Sequence, residues 1–262
     1  MPELRLKEVQ EYIVNWLNEY CEETFLSGFV VGVSGGIDSA LTSTLCALTG
    51  KTVVLVNMPI RQTTAEYTRA KNHIKDLENR FDNVRGVEVD LTPTFNQLEK
   101  DLPDSSAVHD LAMANSRARL RMLTLYAVGQ PQGLLVAGTG NKVEDFGVGF
   151  FTKYGDGGVD ISPIADLLKS EVYKLAEHAG VREEILRAKP TDGLWEDERN
   201  DEDQIGASYD ELEWAMEFEG DENDLSERHK EVLAIYRRYH KMNKHKMNPI
   251  PVCIIPEQFR SE

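Results

Sequence analysis

Four short apolar runs, separated by segments of helical periodicity, leave this chain little freedom of architecture. They are GFVVGV (28–33), TVVLVNMP (52–59), VRGVEVDL (84–91) and GLLVAGT (133–139). Runs of this length and valine content read as strands buried on both faces, which is the pattern of a parallel sheet. Between them, apolar residues recur at three- and four-residue spacing. Leu6, Val9, Ile13, Trp16, Leu17 and Tyr20 form one such stripe, and ALTSTLCAL (40–48), residues 63–79 and residues 106–128 form others. Helical patterns resume at 166–178, 208–218 and 226–242. Strands alternating with helices build βαβ units. The expected fold is therefore α/β: a doubly wound parallel sheet with helices on both faces. A helical C-terminal extension over about 205–262 would complete a single domain spanning 1–262.

Charge narrows the function. Lys plus Arg number 29 and Asp plus Glu 45, a net charge of −16. A chain this acidic is poorly suited to coating nucleic acid, which is bound through Lys and Arg on phosphates. A small phosphorylated ligand needs only a few local donors and stays open. Cys21, Cys46 and Cys253 are scattered and form no CxxC, as in a protein with reduced thiols. The N-terminus carries acids throughout and lacks the apolar core of a signal peptide, and no stretch reaches membrane-spanning length. The expectation is a cytoplasmic protein with no nucleic-acid or membrane partner. EDERNDED (196–203) reads as a solvated loop.

The most informative hexapeptide is SGGIDS (34–39), set between the first strand and the first helix of the sheet. Two glycines let the backbone turn tightly and approach a ligand, and the helix behind them directs free N–H groups and its dipole at that ligand. Ser34 and Ser39 add hydroxyls. This is a cradle for phosphate. A structural turn with Asp38 stabilising the helix start would look similar. Asp38 is awkward beside a phosphate unless a divalent cation lies between them, and Mg²⁺ is the ordinary solution. No GxxxxGK[ST] is present, so a Walker-type kinase loop is not indicated. In its setting SGGIDS resembles the loop of the ATP pyrophosphatase family, whose members use ATP to activate a carboxyl or carbonyl oxygen as an adenylate.

A second block lies at 115–160. Arg117, Arg119 and Arg121 fall within five residues of an acidic chain, which suits either surface ion pairs or an anionic ligand. VAGTGNKVEDFGVGFFTKYGDGGVDISPI follows, with Thr139, Glu144, Lys153, Asp156 and Asp160 among many glycines. Permissive backbone with sparse charge after a strand is typical of a functional loop.

Here the resemblance sharpens. ARLRM, GTGNKVE, GFFTKYGDGG, DISPI with LLKSEVYKLA, KPTDGL, DEDQIGASYDELE and KHKMNPIP resemble the ammonia-dependent NAD synthetase family in order and approximate spacing, from about residue 5 to 255. The resemblance implies amidation of deamido-NAD by ammonia, with ATP as co-substrate and an acyl-adenylate intermediate. Gly32, Val33, Ser34, Gly35, Gly36, Ile37, Asp38 and Ser39 match the ATP loop, and Thr139, Lys169 and Thr191 match further ATP contacts. Asp38 and Glu144 match Mg²⁺ ligands. Arg119, Lys153, Asp160, His245 and Lys246 match contacts to the dinucleotide, with Arg117 and Arg121 as rivals of Arg119. Lys169 would neutralise charge during adenylation. Asp156 is the candidate proton acceptor from ammonia, and segments 145–160 and 192–207 are candidate lids. The resemblance also implies a homodimer with sites shared across the interface. Two other readings share the ATP loop: another adenylating amidotransferase or tRNA-modifying enzyme, and a non-catalytic nucleotide sensor. Charge and cysteine usage disfavour the tRNA version, and a sensor has no need of Glu144, Lys169 and Asp160 together.

Overall fold

The computed structural model describes residues 4–103, 109–188 and 201–260. Helix α1 (Leu6–Thr24) leads into β1 (Gly28–Gly32), α2 (Ile37–Leu48), β2 (Thr52–Asn57), α3 (Thr64–Arg80) and β3 (Val84–Glu88). Helices α4 (Thr92–Asp101) and α5 (Asp110–Gly129) precede β4 (Leu134–Val136) and a π-helical turn, Lys142–Val148. Among the described residues five α-helices follow: α6 (Lys169–His178), α7 (Glu183–Leu186), α8 (Asp201–Ile205), α9 (Tyr209–Glu217) and α10 (Glu227–Met247).

The strands form one parallel sheet in the order β3-β2-β1-β4, with Gly28 paired to Thr52 on one side and to Leu134 on the other. Both faces are covered, as continuous apolar strands require. Phe29, Val31, Val53 and Leu55 pack with α1, α2, α3 and α6, whereas Val30, Val54, Val56 and Val136 pack with α4 and α5. The chain winds outward from β1 through β2 to β3, then returns to place β4 on the other side of β1. That reversal creates a crevice between the C-terminal ends of β1 and β4, the place where such sheets bind ligands. A third apolar cluster joins α9 and α10 to Val143, Val148 and Leu168, so the C-terminal helices pack directly on the segments that reach the crevice.

The strands fall where the sequence places them, but three features differ. Helix α4 is not visible in the periodicity because only Phe95 of its side chains is buried. The glycine-rich stretch after β4 contains an ordered turn, capped by Asn141, whose side chain accepts from the amides of Val143 and Glu144. Helix α10 runs five residues past the expected end at 242. Its last turns are held by polar contacts, which apolar periodicity does not register: Asn243 donates to the Val148 carbonyl and Lys246 to that of Phe151. Cys21 and Cys46 are buried free thiols and Cys253 is exposed. Among the described residues no helix is long and apolar enough to cross a membrane.

Candidate active site

The turn after β1 is built as its composition suggests. Gly35 sits at φ +88°, and a Cβ there would meet the Glu66 carbonyl oxygen at 2.6 Å. Only glycine satisfies both constraints. Ser34 and Ser39 turn inward: their hydroxyls lie 3.1 Å apart, the Ser34 amide donates to Ser39 Oγ, and the Gly36 amide donates to Ser34 Oγ. The hydroxyls thus fix the loop's shape. Gly35→Ala is expected to cost about 1–3 kcal/mol through backbone strain and to weaken nucleotide binding. Thermal melting and a nucleotide titration check this, and an unshifted melting temperature would refute it.

Asp38, one residue into α2, meets two groups that are far away in sequence. The Lys169 ammonium donates to Asp38 Oδ2 at 2.7 Å and to Glu144 Oε1 at 2.9 Å. Lys169 is only 3 % exposed, so the amphipathic helix that carries it does not present it to solvent. Asn141 donates to Asp38 Oδ1 at 2.9 Å, and the Tyr209 hydroxyl donates to Glu144 Oε1 at 2.6 Å, with the Tyr209 ring 4.8 Å below the ammonium. Burial pushes the Asp38 carboxyl up against the pull of Lys169. In Glu144 burial is outweighed by Lys169 and by the Tyr209 hydroxyl, so its carboxyl is held low. Burial opposes the charge on Lys169 too, but the two carboxylates raise its pKa.

Lys169 opens α6, where the helix dipole disfavours a cation. Two acids in front of it offset that cost, and Glu213 supports the helix end from α9. Its carboxylate accepts from the Ser170 amide at 2.8 Å and the Ser170 hydroxyl at 2.7 Å. Tyr209 and Glu213 lie one turn apart on α9, so a single helix braces both Glu144 and the start of α6.

Asp38, Glu144 and Lys169 share one open cleft with a cavity volume of about 220 Å³. Gly32, Val33, Ser34, Gly36, Ile37, Asp38, Ser39, Thr139, Glu144, Asp156 and Lys169 line it. Thr191 lies outside the described residues. Asp156 is exposed at the open cleft, yet the protein packed around it pushes its carboxyl up to about 6, against the Thr152 amide that donates to it at 3.0 Å. Of the three clustered arginines, Arg121 lines the cleft and donates from Nε to the Met58 carbonyl. Arg117 is buried with its guanidinium over Phe95. Arg119 is exposed and donates to the Lys153 carbonyl.

The remaining expected substrate residues lie away from the cleft lining. Lys153 donates to the His245 carbonyl at 2.8 Å, and Lys246 donates to the Phe151 carbonyl at 2.6 Å. Asp160 is tied to the sheet, accepting from Tyr126 and from the Val136 amide. The sequence reading missed Asn141, Tyr209, Met58 and Gln62 as site residues, while Arg121 is one of the two rivals it named beside Arg119. Asn141 and Tyr209 stand inside GTGNKVE and DEDQIGASYDELE, but an uncharged side chain announces no partner until the fold supplies one. Among the described residues no three Asp, Glu, His or Cys side chains gather as a complete metal site. Asp38 and Glu144 do converge on one cation, the Lys169 ammonium, so their donors suit a hard divalent ion whose other ligands come with a phosphorylated substrate.

Comparison with known proteins agrees with this geometry. The sequence model of NAD synthase matches residues 9–250. The chain belongs to the NAD synthase family. The NH(3)-dependent NAD(+) synthetase of Mesoplasma florum is 36 % identical over 260 residues, covering 98 % of this chain and 99 % of that one. Among solved structures, the NMN synthetase of Francisella tularensis superposes with a TM-score of 0.85 at 30 % identity, covering 97 % of this chain and all of the other. The NH3-dependent NAD synthetase of Campylobacter jejuni superposes with a TM-score of 0.78 at 24 % identity, over 96 % of this chain and all of that one. The latter likeness is one of fold, and it supports the doubly wound arrangement of this NAD synthase family member.

Proposed function

We propose that this NAD synthase family member amidates deamido-NAD with ammonia, consuming ATP and releasing AMP and pyrophosphate. The observation that carries the reading is the meeting of Asp38 and Glu144 on one cation beside the glycine loop. A carboxylate is a poor electrophile. The nicotinic acid oxygen therefore attacks the α-phosphorus of ATP, the bond to the β-phosphate oxygen breaks, and pyrophosphate leaves. Ammonia then attacks the acyl carbon, AMP departs, and a proton passes to a base. The loop Gly32–Ser39 and Thr139 would bind ATP, with Thr191 as a further contact. Asp38 and Glu144 would hold Mg²⁺, which when bound neutralises charge on the phosphates. Arg119, Lys153, Asp160, His245 and Lys246 would meet the dinucleotide. Arg119 and Lys153 lie outside the cleft lining, and Leu111 and Leu123 of α5 are 56 % and 61 % exposed, which supports a homodimer completing each site. The reduced cysteines suit the cytoplasm.

The Francisella tularensis neighbour favours a second substrate, the mononucleotide carrying the same carboxylate. Purified protein with ATP, Mg²⁺ and ammonium, offered each acid in turn, decides between them. Amide formed from deamido-NAD at the higher kcat/KM supports the main reading. A preference for the mononucleotide replaces it, and nucleotide binding without turnover points to a sensor.

Asp156 would take the proton. With its carboxyl up at about 6, the base form accumulates as pH rises through that value. At constant free ammonia the amidation rate should climb through the same range. Asp156→Asn should flatten that limb and slow amidation by about 10²–10⁴-fold, leaving pyrophosphate release less affected. Equal slowing of both steps would remove the assignment.

A further inference from the structure

Lys169 occupies the place a metal ion would need. Its ammonium touches one oxygen of Asp38 and one of Glu144, at 2.7 and 2.9 Å. A Mg²⁺ ion bound by those oxygens sits about 2.0–2.1 Å from each, inside the same gap. Two cations cannot share it. Two charged carboxylates buried face to face are strongly unfavourable, so once the ammonium leaves, a metal ion or a proton must take its place. The site therefore holds one positive centre at a time. The lysine is suited to exchange: its stem starts at the first residue of α6, and it lines the same cleft as Ser34 and Ser39.

We propose that Lys169 is the resident cation of the Asp38–Glu144 pair, and that a divalent metal enters only in exchange for it, when a triphosphate in the glycine loop draws the ammonium away. Lys169 then serves twice. It keeps the two acids organised before substrate arrives, and it delivers a positive charge to the phosphates as the metal takes its place. Metal loading becomes dependent on nucleotide. Tyr209 holds Glu144 in place throughout, because its hydroxyl bonds Oε1 independently of the ammonium. This goes beyond the proposed reaction but rests on Asp38 and Glu144 being the metal ligands.

The test is Mn²⁺ binding by electron paramagnetic resonance at pH 7.5, on the full chain without nucleotide. Lys169→Met should bind one Mn²⁺ at least about tenfold more tightly than the wild type, and adding Glu144→Gln should abolish that gain. Lys169→Gln, which can still hydrogen-bond both acids, gives the same readout should the methionine variant fail to fold. Wild-type protein should gain Mn²⁺ affinity when a non-hydrolysable ATP analogue is added, beyond the analogue's own. Equal Mn²⁺ affinity in the wild type and both lysine variants overturns the exchange. If Asp38→Asn and Glu144→Gln bind the Mn²⁺–nucleotide complex as the wild type does, the metal assignment itself falls. The two failures are thus distinguishable.

Discussion

Glu144→Gln should reduce turnover on the order of a hundredfold or more while leaving the protein folded. The rate loss follows from removing one preorganised charge from the place where negative charge must be neutralised, a change that typically costs two to three orders of magnitude. Survival of the fold follows from the charge count around Lys169. One ammonium faces two carboxylates, so the native cluster carries one negative charge in excess. The glutamine variant leaves Lys169 and Asp38 as a balanced pair, and the amide oxygen can still accept from Tyr209. Stability should be unchanged or slightly higher, which separates loss of chemistry from loss of structure. Mg²⁺-dependent pyrophosphate release and thermal melting are the two measurements. Near-normal turnover in a folded Glu144→Gln protein would remove Glu144 from the metal site.

The second large effect concerns stability in acid, and it originates away from the cleft. His73 of α3 is fully buried against α2, with Nε2 2.8 Å from Ser43 Oγ and, among the described residues, no hydrogen-bond partner for Nδ1. Burial lowers its pKa from 6.5 to about 4. The unfolded chain therefore takes up a proton at higher pH than the folded one. Folding stability is intact above pH 6.5 and is lost as pH falls toward 4. Linkage gives a loss of about 2–3 kcal/mol at pH 4.5 from this residue alone. Carboxylates that titrate in the same range also contribute, so the informative quantity is a difference. Urea unfolding at pH 7.5 and 4.5 should show a drop smaller by about 2 kcal/mol in His73→Gln than in the wild type. Identical drops would mean that His73 does not govern the acid sensitivity.

Much of the cleft was legible in the residues. Gly35 and Gly36 between a valine-rich strand and a helix could hardly be anything but a tight strand-to-helix turn, and Asp38 in that position raised the question of a counter-cation. Other positions could not be read in isolation. Lys169 has the spacing of a surface residue on an amphipathic helix, and only resemblance singled it out. Its burial follows from how α6 packs beside α2 and the π-helical turn. Arg119 fits by spacing, yet Arg121 reaches the cleft, because α5 turns that position toward Met58 at the end of β2. Tyr209 and Glu213 form a brace only once α9 is docked.

Local chemistry determined the parallel sheet and the phosphate-binding turn. A strand buried on both faces must be apolar throughout, and a positive-φ turn against a backbone carbonyl must be glycine. Such demands are written into consecutive residues. Tertiary structure alone decided which acids face which cation. Asp38, Glu144, Lys169 and Tyr209 come from four separate elements, and the forces that join them act across space between side chains whose sequence neighbours carry no trace of the encounter.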